Sequence, residues 1–157
     1  MLIIGIDPGY DRCGVAVIDR SQGIGNEKLL FSTCIQTDKK QDFVDRLKAV
    51  LEEVNETLKK YKPDVLAIES VFFNTNQKTA TKVAETKGAI MAAAIQNSTK
   101  ILELTPLQIK LAITNSGRAD KKAIYQMLQK LIQIEKQIKL DDEYDAIACA
   151  LAASALI

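Results

Sequence analysis

Apolar and polar positions change their period several times along this chain, and each change marks an element. Leu2-Ile3-Ile4-Gly5-Ile6 is an apolar run that ends in the turn signal Asp7-Pro8-Gly9, and Cys13 to Asp19 is rich in β-branched residues. Two such runs around a short turn predict a hairpin. A third strand, Leu29 to Thr37, follows the glycine-rich turn Gln22-Gly23-Ile24-Gly25-Asn26. From Asp42 to Tyr61 the spacing turns helical: Phe43, Val44, Leu47, Val50, Leu51, Val54 and Leu58 recur at three and four. Lys62-Pro63-Asp64 stops that helix, and Val65-Leu66-Ala67-Ile68 reads as a buried strand with Glu69 at its C-terminal end.

After a polar loop, Lys78 to Ala94 predicts a helix with small residues Ala80, Ala84, Gly88 and Ala92 at every fourth position. Lys100 to Leu104 is the fifth strand, and Thr105-Pro106 is an N-cap followed by proline at the first helical position of a short helix running through Ile113. Asn115 to Arg118 breaks the pattern, Asp120 to Ile134 reads as another helix, and Asp142 to Leu156 as a last one, nearly all apolar beyond its first turn. A helix of that kind must lie against a sheet. The three-strand meander entering a βαβ unit implies an α/β domain, a five-stranded mixed sheet with helices on both faces, spanning residues 1–157.

Composition narrows the chemistry. With 157 residues and 47% hydrophobic content the chain suits one domain with a proper core. A net charge of +1 neither marks nor excludes a polyanionic partner, so any nucleic-acid surface has to come from local charge. There is no histidine, which removes the usual base near neutral pH and rules out Ser-His-Asp and Cys-His hydrolases. Hydrolysis here has to run on carboxylates, lysines or metal. Cys13, Cys34 and Cys149 stand singly in apolar contexts, as small core residues of a reducing compartment do. No cleavable leader and no membrane-length apolar run is apparent, so the expectation is a soluble cytoplasmic protein.

The carboxylates are the chemistry left. If the first and fourth strands lie side by side and parallel, Asp7 and Glu69 share one sheet edge, and Asp142 and Asp145, spaced i,i+3, point from one face of the last helix's first turn. Four carboxylates meeting in a partly dry pocket repel one another, and divalent cations resolve that conflict. An all-oxygen set selects Mg2+ or Mn2+, and two ions could activate a water and stabilise the leaving oxygen in phosphodiester hydrolysis. Taken singly, Asp7 also suits a turn residue and Asp142 a helix-opening one; Asp141 is expected to cap the helix, freeing Asp142 and Asp145.

Gly5-Ile6-Asp7-Pro8-Gly9 with Gly14-Val15-Ala16-Val17-Ile18 resembles the opening of the RuvC family, and Ile68-Glu69-Ser70-Val71-Phe72-Phe73 followed by Asn76 resembles its second motif. Lys82-Val83 with Gly88-Ala89-Ile90, Thr105-Pro106 with Ile109-Lys110, Gly117 to Lys121, and Asp142 to Ala148 complete the set in order, nearly end to end. The resemblance implies an RNase H-like fold, a homodimer, four-way (Holliday) junction substrates, and metal ligands at Asp7, Glu69, Asp142 and Asp145. It also implies lysines near the scissile phosphate at Lys110 and Lys121 and a possible branch-migration partner of the RuvA-RuvB type. Positions 10–13, Tyr-Asp-Arg-Cys, depart from the family's usual polar turn, and Tyr144 is bulkier than the residue common there. Other readings are an RNA-processing nuclease of the YqgF type and a non-catalytic junction-binding module.

Lys78, Lys82, Lys87, Lys110, Arg118, Lys121 and Lys122 flank the carboxylate segments, whereas the first long helix carries Asp42, Asp45, Glu52, Glu53 and Glu56. Such asymmetry can hide a DNA-binding face inside a neutral total, although single lysines also simply solvate helices. Phe72 and Phe73 are adjacent aromatics in a chain only 5% aromatic; one can stack on an unpaired base, or both can cap the core. The stripe Ala84, Gly88, Ala92, with Ile90 and Met91 beside it, suits either a helix-pairing dimer interface or ordinary packing on the sheet.

Overall fold

The structure, a computed structural model, describes residues 1–70 and 77–157, the side chains of 77 and 78 excepted. Phe72, Phe73 and the side chain of Lys78 therefore lie outside the described residues. The elements run β1 (Leu2–Asp7), β2 (Arg12–Asp19), β3 (Lys28–Gln36), α1 (Phe43–Tyr61), β4 (Val65–Glu69), α2 (Gln77–Gln96), β5 (Lys100–Leu104), α3 (Pro106–Thr114), α4 (Lys121–Leu131) and α5 (Asp141–Leu156). The five strands form one mixed sheet in the order β3-β2-β1-β4-β5. β1, β2 and β3 pair antiparallel, while β4 pairs parallel with both β1 and β5.

Strand alternation sends side chains to two separate cores. On one face Ile4, Ile6, Val15, Val17, Leu66 and Ile68 meet Val50, Val54 and Leu58 of α1 and Ile90, Ala93 and Ala94 of α2. On the other, Ile3, Ala16, Ile18 and Ala67 meet α3, α4 and the apolar length of α5. Both faces of β1 are thus buried, which is why its apolar run is unbroken where a half-solvated strand would alternate. The sheet covered on both sides is the arrangement the pattern implied.

Helix ends follow their chemistry. Asp42 caps α1 by accepting from the Asp45 N–H, and Lys62, in the left-handed region at φ 47°, closes it before Pro63. Thr105 and Gln108 form a reciprocal capping box on α3, with Pro106 in its first turn. Asp120 caps α4, which ends at Leu131, short of the Ile134 that periodicity suggested: Ile132 leaves the helix in an extended conformation to bury its side chain. α5 corrects a second expectation. It begins at Asp141, its N-cap is Leu140 with no side-chain cap bond, and Asp141 is a first-turn residue facing Lys121. Three acidic residues in that first turn are stabilised by the helix dipole without a capping side chain.

Of the small-residue stripe of α2, Gly88 and Ala92 face outward, while Ala80 and Ala84 are half-buried. A side chain built at Gly88 would meet nothing within 4 Å among the described residues, Ala92 is exposed and Ile95 is 66% exposed, whereas Ile90 packs inward on the sheet. Ordinary packing therefore accounts for Ile90 but not for Gly88 and Ala92. Cys13 and Cys149 are buried as expected; Cys34 is only half-buried.

Candidate active site: four carboxylates at one sheet edge

β1 and β4 run in parallel with Ile6 opposite Ile68, so the next residue of each strand, Asp7 and Glu69, emerges at the same edge. α5 brings the other two carboxylates by packing unusually close to the sheet. A Cβ on Gly14 would fall 1.8 Å from the Asp142 carbonyl oxygen, and one on Gly5 would fall 2.2 Å from that of Ala146. No other residue type allows the first turn of α5 to rest directly on β1 and β2, where it places Asp142 and Asp145 over the strand ends.

The electrostatics register the convergence. Asp7 is pushed up to about 8, by burial first and then by the charges of Asp145, Glu69 and Asp142. Glu69 is raised by burial and by Asp145, against the opposing pull of Lys121 and Lys110. Asp145 is raised by burial despite a hydrogen bond from Lys121. All four positions singled out in the sequence therefore share one field, and three of them hold their protons more tightly than free carboxylates do.

Two cations are built into the cluster. Lys121 Nζ lies 3.1 Å from Asp145 Oδ2 and 3.3 Å from Asp141 Oδ2. Burial works against the charge on Lys121, but its bonds to Asp145 and Asp141 win and raise its pKa. Arg12 Nε lies 3.1 Å from Asp142 Oδ2, close enough to pair, yet among the described residues that buried oxygen receives no aligned hydrogen bond. Held this way, no three acidic side chains among the described residues stand tightly enough to clasp an ion. The Tyr125 hydroxyl reaches Asp145 Oδ1 at 3.4 Å, and its ring stacks on Tyr144. Neighbouring Glu143 turns away, buried against Ser32 Oγ at 2.6 Å and paired with Lys136.

The basic residues divide. Lys110 and Lys121 line a pocket of about 250 Å3 with Glu69 and Asp145, so both reach the carboxylates. Lys82 lies farther off, its ammonium 5.6 Å from the Tyr10 ring and 5.5 Å from that of Phe43. Arg118 and Lys122 are exposed near Lys121, and among the described residues neither forms an ion pair with a carboxylate. Arg12 and Tyr125 are contacts that residue patterns missed. Arg12 belongs to positions 10–13, which depart from the family's usual turn, but a pairing across 130 positions leaves no local trace.

A model of one family, crossover junction endodeoxyribonuclease RuvC, matches residues 3–153. The chain belongs to the RuvC family. The RuvC of Thermosipho melanesiensis is 42% identical over 96% of this chain and 94% of its own length, and that of Fusobacterium nucleatum 38% identical over 96% and 78%. Among solved structures, Thermus thermophilus RuvC in complex with a Holliday junction substrate superposes with a TM-score of 0.90 at 27% identity, covering 97% of this chain and 92% of that one. The yeast mitochondrial Holliday junction resolvase Ydc2 has a TM-score of 0.68 at 15% identity, which shows a common fold and no more. The sheet order and two-faced covering described above are thus those of RuvC, an RNase H-like fold.

Proposed function

We propose that this chain is a metal-dependent, structure-selective endodeoxyribonuclease that resolves four-way DNA junctions by paired, symmetric nicks, serving homologous recombination and repair in the cytoplasm. The carrying observation is the convergence of Asp7, Glu69, Asp142 and Asp145 at one edge in a chain of the RuvC family. A set of mutually repelling carboxylates, one with a buried oxygen that has no hydrogen-bond donor among the described residues, fits hard divalent cations. Asp7, Glu69, Asp142 and Asp145 would hold Mg2+, or Mn2+, in a two-ion site; the metal supplies an activated water and charge to stabilise the leaving oxygen.

The chain's own residues do the rest. Lys110 and Lys121 sit beside Glu69 and Asp145, where they attract a phosphodiester and offset the negative charge that gathers as it is attacked. Lys78, Lys82, Arg118 and Lys122 lie farther along the same segments and serve as backbone contacts that position the duplex without reading sequence. Phe72, with Phe73 beside it, stacks on a base at the crossover. Paired nicks need two sites related by a two-fold axis, and the exposed face of Gly88, Ala92 and Ile95 on α2 is the surface offered for an identical subunit. A branch-migration complex of the RuvA-RuvB type would deliver the junction.

A nicking assay on a synthetic four-way junction, against linear duplex and structured RNA, tests this reading. Symmetric nicks on the junction alone, abolished by EDTA and restored by Mg2+, are expected. Cleavage of RNA in preference to the junction would shift the assignment to an RNA-processing nuclease, and tight binding without nicking would leave a junction-binding module. Sedimentation should show a dimer that Gly88→Arg disrupts.

A further inference from the structure

Arg12 opens β2 and is the cation paired with Asp142 among the described residues, since Lys121 is engaged with Asp145 and Asp141. Its Nε reaches an oxygen sealed from solvent without making an aligned hydrogen bond to it, so the pairing neutralises charge but leaves the acceptor without a hydrogen bond among the described residues. The Arg12 side chain is itself 46% exposed. It lines a cleft of about 570 Å3 together with Tyr10, Gln36, Thr37, Lys39 and Thr79, and Asp142 forms part of the same wall. Arg12 therefore stands at the lip between the carboxylate cluster and a polar cleft that contains a second cationic side chain. Its backbone is fixed from below: a Cβ on Gly9 would fall 2.1 Å from the Arg12 carbonyl oxygen, so the turn is closely packed and the side chain is the part free to move.

We propose that Arg12 is a positioning residue that exchanges partners: without metal it neutralises Asp142, and when a divalent cation takes that carboxylate, Arg12 turns into the neighbouring cleft and grips a backbone phosphate of the DNA. The proposal rests on the metal-nuclease reading above. A divalent ion on Asp142 repels the guanidinium that now occupies it, and the released guanidinium has a planar fork of donors that matches a phosphate, while the two other carboxylates in the neighbourhood, Asp11 in the cleft and Asp141, are already paired with Arg46 and Lys121. Lys39 and Gln36 supply further donors along the same wall. Because the two events share one side chain, linkage requires that metal binding and phosphate binding strengthen each other. Arg12 would thereby tie the loading of the site to the arrival of the strand.

The test uses Arg12→Gln, which removes the charge but keeps a polar side chain at an exposed position, in the full-length protein with its melting temperature checked. In titrations of the DNA-free protein with Mn2+, followed by calorimetry and by the manganese resonance signal, Arg12→Gln should bind the ion about 5-fold more tightly or better, the low end of ordinary coupling between sites. In stopped-flow anisotropy with a labelled four-way junction, read before nicking, Mn2+ should strengthen wild-type binding relative to EDTA. Arg12→Gln should lose most of that gain and lower the salt slope by about one. Unchanged or weaker Mn2+ affinity overturns the exchange, and so does an unchanged metal-dependent gain in junction affinity. If the wild type binds no Mn2+ and nicks no junction, the nuclease reading fails together with the exchange. If it binds, nicks and is matched by Arg12→Gln in both measurements, the exchange alone is refuted.

Discussion

Replacing Asp7 by Asn should stabilise the metal-free protein, and by an amount that grows with pH. In the folded chain Asp7 releases its proton only near pH 8, against 3.8 for the free side chain. Between those values the native state keeps a proton that the unfolded chain has already lost, so wild-type stability falls as pH rises through this window. At about 1.4 kcal/mol per pH unit the full difference would approach roughly 6 kcal/mol above pH 8. Water entering the half-buried site and movement of Lys121 bring the expected effect down to on the order of 2–3 kcal/mol. Asn keeps the shape and carries no charge at any pH. Urea denaturation in EDTA should therefore show Asp7→Asn near wild type at pH 4.5 and clearly more stable at pH 8. Adding Mg2+ at pH 8 should then raise the wild type and leave the variant almost unmoved, since the ion relieves the repulsion that Asn has already removed. Equal stability of the two proteins at pH 8, or a gain independent of pH, would refute the view that burial and the neighbouring like charges hold the proton on Asp7.

Glu69→Gln and Asp145→Asn should each abolish Mg2+-dependent nicking of a four-way junction while electrophoretic mobility shifts show junction binding largely kept, because a ligand is lost without loss of a cation. Asp142→Asn should be comparably severe, since Glu143 is buried against Ser32 and Lys136 and Asp141 is engaged by Lys121. Gly14→Ala forces a methyl to within 1.8 Å of the Asp142 carbonyl oxygen; it should lower stability by about 1–3 kcal/mol in thermal melts and slow single-turnover cleavage by up to about 100-fold. Phe72→Ala should leave the melting temperature nearly unchanged and slow cleavage, with loss of the fluorescence change of 2-aminopurine at the crossover, a stacking loss of about 1–3 kcal/mol.

The parts of this molecule that could be read from the chain are those where one physical cause dominates locally. β1 and β4 are legible because strands buried on both faces must be apolar throughout, and the first polar residue after such a run, Asp7 or Glu69, marks where the strand reaches the sheet edge. α1 is legible because only one of its faces is buried, and Thr105-Pro106 because capping chemistry is confined to four residues. Sequence pattern sets the start of α5 one residue late, since Asp141 and Asp142 are both good first-turn residues and only the docking of the helix decides between them. Periodicity extends α4 past its end because Ile132 satisfies the helical period while burying itself from an extended backbone. The Arg12–Asp142 pair and the Tyr125–Asp145 contact join residues far apart in the chain, and nothing in the neighbourhood of either partner announces the other.

Gly5 and Gly14 show how the two kinds of information meet. In sequence each looks like a weakness in a strand, a position with no side chain to pack and backbone freedom to lose. In the fold each is the point where α5 touches the sheet backbone, at Ala146 and Ala150 for Gly5 and at Asp142 for Gly14. A larger residue at either position would lift the helix, and with it the two carboxylates of its first turn, away from Asp7 and Glu69. Local stability is given up at two strand positions, and what is gained is the distance between a helix and a sheet edge. Since that distance sets whether four carboxylates share one field, as the raised Asp7 shows they do, the small residues of β1 and β2 belong to the site as much as the charged ones.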